Sequence, residues 1–159
     1  MEMNKGYKHV DTEEKYISLH DCYVTKLRTK DNILSAYFGE GFWILDKHEF
    51  NDYGKTLKTD SAYVEFHIDG FDEIKVYLFK NAFNGETLRV EKKLDSFIKS
   101  VNDGVYELEF LYQYLGYNGR IIECVLHSDK EPYHYECQLY IPAHKTLYCW
   151  NSLCEENVW

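Results

Sequence analysis

The sequence predicts a mainly β, β-rich α+β domain: an antiparallel sandwich or barrel of about nine to ten strands with one short helix near residues 95–102. Three observations carry this expectation. Apolar and polar residues alternate with period 2 through most of the chain, which sets one face of each segment against a core. Tyr, Phe and Trp (15, 9 and 3) make up 17% of the 159 residues within a 45% hydrophobic total, enough to bury a sizeable core and to exclude disorder. With only 9 Gly and 2 Pro, and no linker-like tract, a single domain over residues 1–159 is expected.

The elements follow in order. Cys22 to Arg28, Asn32 to Phe38 and Gly41 to Leu45 read as strands, joined by the short polar connectors Thr29-Lys30-Asp31 and Gly39-Glu40. Asp46 to Asp60 is polar and turn-rich and reads as a loop. Ser61 to Asp69 sets Ala62, Val64, Phe66 and Ile68 on one face and Tyr63, Glu65, His67 and Asp69 on the other. The turn-like Asp69-Gly70-Phe71-Asp72 and the renewed alternation of Ile74, Val76 and Leu78 make this a predicted hairpin. Glu86 to Lys92 forms a strand after the Asn84-Gly85 turn. Leu94, Phe97, Ile98 and Val101 then recur at helical spacing, with Asp95 able to cap the first turn and Gly104 as the stop. In Val105 to Leu115, Tyr106, Leu108, Phe110, Tyr112 and Tyr114 alternate with Glu107, Glu109 and Gln113. Asn118-Gly119 suits a type I′ turn that returns the chain through Ile121 to His127. Tyr133 to Ile141 and Lys145 to Trp150 complete the meander, and a short helix is allowed over Asp11 to Tyr16.

Acids outnumber bases 27 to 18, a formal charge of −9, and the excess is spread along the chain: 15 against 11 up to residue 80 and 12 against 7 beyond it. The densest basic patch, Arg89, Lys92 and Lys93, is broken by Glu91. Nucleic acid is therefore excluded as a partner, because its binders cluster Lys and Arg to displace counterions. A basic protein partner remains compatible. Apolar runs such as Phe42-Trp43-Ile44-Leu45 are far too short to span a bilayer, so no membrane association is expected. Five cysteines (Cys22, Cys124, Cys137, Cys149, Cys154), odd in number and without a C-x-x-C, fit free thiols in a cytoplasmic protein. Cys124, Cys137 and Cys149 lie in phase with apolar neighbours and are expected to be buried, whereas Cys154 lies in a polar tail.

Phosphate-loop, dinucleotide-binding, zinc-protease and nucleophile-elbow signatures are all absent, so no cofactor, metal or catalytic residue is assigned. The candidates are polar and aromatic residues on strand faces. Glu65 and His67 with Asp69, Glu123 with His127, and His134 with Glu136 could pair as acid and base or ligate a metal, or could simply be solvated faces. Tyr63, Tyr77, Phe79, Tyr140 and Tyr148 are either a second buried face or a recognition surface, since tyrosine buries a ring while keeping its hydroxyl paired. Trp43 is assigned to the core. The predicted binding set is Tyr63, Glu65, His67, Tyr77, His127, His134, Glu136 and Tyr140.

Leu19-His20-Asp21-Cys22-Tyr23-Val24 opens a strand with an His-Asp pair and is followed by Asp31-Asn32-Ile33-Leu34 and Phe42-Trp43. Over residues 19–45 the chain resembles small bacterial β-rich proteins, some of them similar to immunity proteins that neutralise a toxin by binding it. The resemblance implies binding and carries over no catalytic residue. Read locally, Asp21 can bond backbone amides at the strand start while His20 braces it.

Three functions stay open at this point. The first is a non-enzymatic cytoplasmic protein-binding domain, of immunity type by the resemblance. The second is a small-molecule or carbohydrate-binding β-domain stacking its ligand on Tyr and Trp, which calls for a concave aromatic pocket. The third is a metal-dependent or acid/base hydrolase built on Glu65, His67, His127, His134 and Glu136, a reading that convergence of the three histidines in a cavity would favour and their scatter would disfavour. Oligomeric state is encoded in none of these features.

Overall fold

The computed structural model describes residues 6–81 and 84–159. Its strands are β1 His9–Asp11, β2 Ile17–Ser18, β3 Cys22–Val24, β4 Lys26–Lys30, β5 Ile33–Phe38, β6 Trp43–Ile44, β7 Leu57–Thr59, β8 Ala62–His67, β9 Lys75–Asn81, β10 Thr87–Lys92, β11 Glu107–Gly116, β12 Gly119–His127, β13 His134–Ile141, β14 Lys145–Trp150 and β15 Leu153–Val158. Helix α1 spans Leu94–Asn102. Ten strands have five residues or more; β1, β2, β3, β6 and β7 have two or three. All pairings are antiparallel, in sheets ordered β1-β14-β8-β5-β4, β10-β9-β13-β12-β11-β3 and β15-β7-β6-β2. The two larger sheets face each other as a sandwich, and no barrel closes.

The core lies between the two larger sheets. Leu34, Ala36, Val64 and Phe66 from one meet Val76, Leu78, Leu108, Phe110, Ile122, Cys124 and Leu139 from the other. Phe38 on β5 meets Phe110 on β11 edge-on at 5.6 Å. Burial of these side chains at roughly 25 cal/mol per Å² is the main force holding the sheets together. Helix α1 turns Phe97 and Val101 inward and packs on β4 and β9. It ends as expected at Gly104 (φ +76), where the Gly104 N–H bonds to Val101 O at 3.1 Å and the Val105 N–H to Ser100 O at 2.9 Å. This is a Schellman close. Gly41 is irreplaceable for a second reason: at φ +75, an added Cβ would stand 2.2 Å from Thr59 Oγ1 and 2.3 Å from Thr59 O.

Several local expectations are corrected. Segments 62–67 and 75–81 do not form a hairpin; a 3-10 turn at Phe71–Glu73 carries the chain from the five-stranded to the six-stranded sheet. Cys22 to Arg28 splits at Thr25 into β3 and β4, which also belong to different sheets. The 46–60 loop contains the three-residue β7. No helix forms over Asp11 to Tyr16. The β11–β12 turn is Tyr117-Asn118, with Gly116 opposite Gly119, and not Asn118-Gly119. Successive left-handed residues, the φ signature of a type I′ turn, occur instead at Asp31 (φ 51) and Asn32 (φ 58) between β4 and β5.

Candidate functional site

The six-stranded sheet turns one face to the core and the other away from it. Its register sets the outer face in four cross-strand ranks. Glu107, His127 and His134 form the first; Tyr23, Glu109, Val125, Glu136, Phe79 and Arg89 the second. Tyr112, Glu123, Gln138, Tyr77 and Glu91 form the third; Tyr114, Ile121, Tyr140 and Lys75 the fourth. Five of the predicted binding residues, Tyr77, His127, His134, Glu136 and Tyr140, therefore share one surface.

A β-bulge at Leu111 makes this face aromatic. The pairing shifts between Phe110 and Tyr112, so Leu108 and Phe110 point inward while Tyr112 and Tyr114 point outward. Unbroken alternation would have put all four on the core side. Tyr112 and Tyr114 are instead 53% and 54% exposed, and Tyr23 and Ile121 beside them are exposed as well. The bulge is held by His20, whose Nδ1–H donates to the Leu111 carbonyl at 2.8 Å while its Nε2 lies 3.4 Å from Asp21 Oδ2. The Trp43 indole N–H donates to the His20 carbonyl at 3.1 Å, and Trp43 is partly buried at the core margin. The His-Asp strand opening thus shapes the outer face, with His20 bracing the neighbouring strand β11 and not the start of its own.

At the β3 end the face carries a linked polar group. His127 Nε2 lies 2.7 Å from Glu109 Oε2, and His127 Nδ1 lies 2.9 Å from His134 Nδ1. In the neutral pair, His127 donates through Nε2 to the carboxylate and accepts the His134 Nδ1 proton. Burial raises the Tyr23 hydroxyl pKa first, and the adjacent Glu109 carboxylate raises it further. Glu109 and Tyr23 were not singled out from sequence, because their meeting with His127 depends on strand register. Further along, Gln138 Nε2 reaches Glu123 at 3.4 Å and Arg89 stands over the Tyr77 ring at 4.6 Å.

The remaining predicted residues, Tyr63, Glu65 and His67, lie on β8 in the other sheet and face away from the core on the opposite side of the sandwich. They form a closed group. The Tyr63 hydroxyl donates to Glu65 Oε1 at 3.0 Å, and His67 Nε2 lies 2.9 Å from Glu65 Oε2. Glu65 is only 2% exposed. Tyr63 is covered by Tyr7 and Tyr37, with ring centroids at 4.8 and 5.3 Å, and its pKa is raised chiefly by burial, then by Cys149 and Glu65. Tyr148, the other aromatic in question, is core and donates to Glu14 at 2.9 Å.

The three histidines therefore do not converge: His127 meets His134, and His67 stands on the far sheet. Among the described residues no group of three His, Cys, Asp or Glu could hold a metal ion. A groove of about 800 Å³ at the end of the sandwich is lined largely by polar residues, Glu14, Asp69, Glu73, Arg120, His144 and Lys145 among them, with Tyr117 and the predicted Tyr140 also on its wall. Cys22, Cys124, Cys137 and Cys149 are buried free thiols and Cys154 is partly exposed. No helix among the described residues is long and apolar enough to cross a membrane. Compared with protein families, curated proteins and solved structures, the chain matches none of them.

Proposed function

We propose that the chain is a non-enzymatic, cytoplasmic protein-binding domain of the immunity type, and that a basic protein docks on the outer face of β3, β11, β12 and β13. The observation that carries this reading is the exposed pair Tyr112 and Tyr114, turned outward by the bulge and set among Glu107, Glu109, Glu123 and Glu136. Tyrosine rings supply rigid area and a face for a partner's Arg or Lys, while neighbouring carboxylates supply the charge. A formal charge of −9 speeds encounter with a basic partner and makes it salt-dependent. Buried free thiols suit a reducing compartment.

The test is co-purification with the product of the adjacent gene at low salt. The wild-type chain should retain it, and the Tyr112→Ala/Tyr114→Ala variant, its fold checked by circular dichroism, should bind about 100-fold more weakly. Equal binding by the double variant, or no retention by the wild type, would refute the proposal.

A further inference from the structure

The two larger sheets have four edge strands, and three of them are blunted. β1 and β3 have three residues each. β4 is blocked at Leu27, whose N–H donates to Asn102 Oδ1 and whose carbonyl accepts from Asn102 Nδ2, both at 2.8 Å. The fourth, β10, is a six-residue edge, Thr87–Lys92, and among the described residues no strand lies on its other side. An edge of this length is a template for another strand.

Charge on an edge strand ordinarily repels a like strand, but here the order of signs reverses the effect. Arg89 and Glu91 flank Val90, and all three share the strand with exposed Leu88 and Lys92. An antiparallel copy centred on Val90 sets Arg89 opposite Glu91 of the second chain and Glu91 opposite its Arg89. Both pairs fall on the outer face, where opposite charges directly across strands attract. On the other face Val90 meets Val90, and the Lys92 stem lies across Leu88. Within the chain, Lys75 Nζ lies 3.5 Å from Glu91 on an exposed surface and Arg89 stands over the Tyr77 ring at 4.6 Å, so both charges keep modest contacts on the outer face.

We infer that β10 pairs with β10 of a second copy of this chain, centred on Val90, joining two six-stranded sheets edge to edge. The inference is independent of the proposed partner face, which lies toward the opposite end of the sheet. Sedimentation equilibrium of the full chain tests it. The wild type should show concentration-dependent dimers. Arg89→Glu sets two carboxylates against each other at both pairs, and Glu91→Arg sets two guanidinium groups against each other at both, so each substitution alone should weaken the dimer about tenfold or more. An equimolar mixture of the two variants should dimerise again, because each then supplies the charges the other lacks. Both substitutions are on an exposed strand, and circular dichroism checks that each variant is folded. A wild type that stays monomeric to about 1 mM, a dimer indifferent to either reversal, or a mixture that stays monomeric would overturn the inference.

Discussion

Replacing Glu14 tests how the N-terminal segment is tied to the sandwich. Arg120 on β12 is 6% exposed, and its Nη2 lies 2.6 Å from Glu14 Oε1 and 2.7 Å from Thr146 Oγ1. Its Nη1 donates to Gln113 Oε1 at 3.0 Å and to the Tyr148 hydroxyl at 3.5 Å, while buried Nε has no hydrogen-bond partner among the described residues. Glu14 is thus the one carboxylate paired with this guanidinium among the described residues, and Glu14→Ala leaves the charge among neutral acceptors. Breaking a buried pair by removing one partner costs about 3–5 kcal/mol. The Glu14 side chain is 26% exposed, so water can enter the space it leaves. The expected loss is therefore about 2–3 kcal/mol, or about 5–10 °C in Tm for a chain of this size. Urea unfolding followed by tryptophan fluorescence measures it. Glu14→Gln, which keeps an oxygen for Nη2 and for the Tyr148 hydroxyl, should recover about half. A loss below about 0.5 kcal/mol for Glu14→Ala, the value of an exposed pair, would refute the argument.

Native protein treated with iodoacetamide at pH 8 should gain one adduct, at Cys154, because Cys22, Cys124, Cys137 and Cys149 are buried; two or more adducts by mass spectrometry would contradict this. Burial pushes the Cys22 and Cys149 thiols up to about 12, above their ordinary value near 9. The unfolded chain then releases these protons first as pH rises. Their contribution to stability is full below pH 9 and is lost between about 9 and 12, so the urea midpoint should fall over that interval. His20→Ala removes the donor to the Leu111 carbonyl and should cost about 1 kcal/mol. Hydrogen exchange at residues 111–113 should quicken in that variant, and unchanged exchange would mean that His20 does not hold the bulge.

Class and segment positions were legible because period-2 alternation reports burial directly, and α1 because four apolar residues recur on one side. What was not legible depended on register. From a turn at Asn118-Gly119, counting back along the hairpin pairs Phe110 with His127. The actual turn at Tyr117-Asn118 shifts the pairing, the bulge at Leu111 shifts it again, and Glu107 ends opposite His127. A polar residue's partner on a sheet is fixed by such one-residue steps, which leave no trace in composition. Hence Glu109 escaped notice while His127 and His134, which share the β12–β13 hairpin, were found together. The apparent 62–78 hairpin failed for a related reason: alternation shows that both segments are strands but not which sheet each joins.

The two outer faces carry nearly the same residue types, and burial separates their roles. On β8, Glu65 is flanked in register by Ser35 and Leu147, and Tyr63 by Tyr37 and Cys149. These neighbours are small or apolar enough to close over the carboxylate, and Tyr63 and His67 satisfy it from the same strand. On the six-stranded sheet, Glu123 sits between Tyr112 and Gln138, and Glu136 between Val125 and Phe79. No strand lies across these ranks among the described residues, so their carboxylates and rings stay at the surface. A hydroxyl and a carboxylate that bond each other in a closed group rigidify the sheet. The same groups left side by side and open can exchange water for a cation, which is why the proposed partner is placed on this face rather than on the one with the tighter cluster.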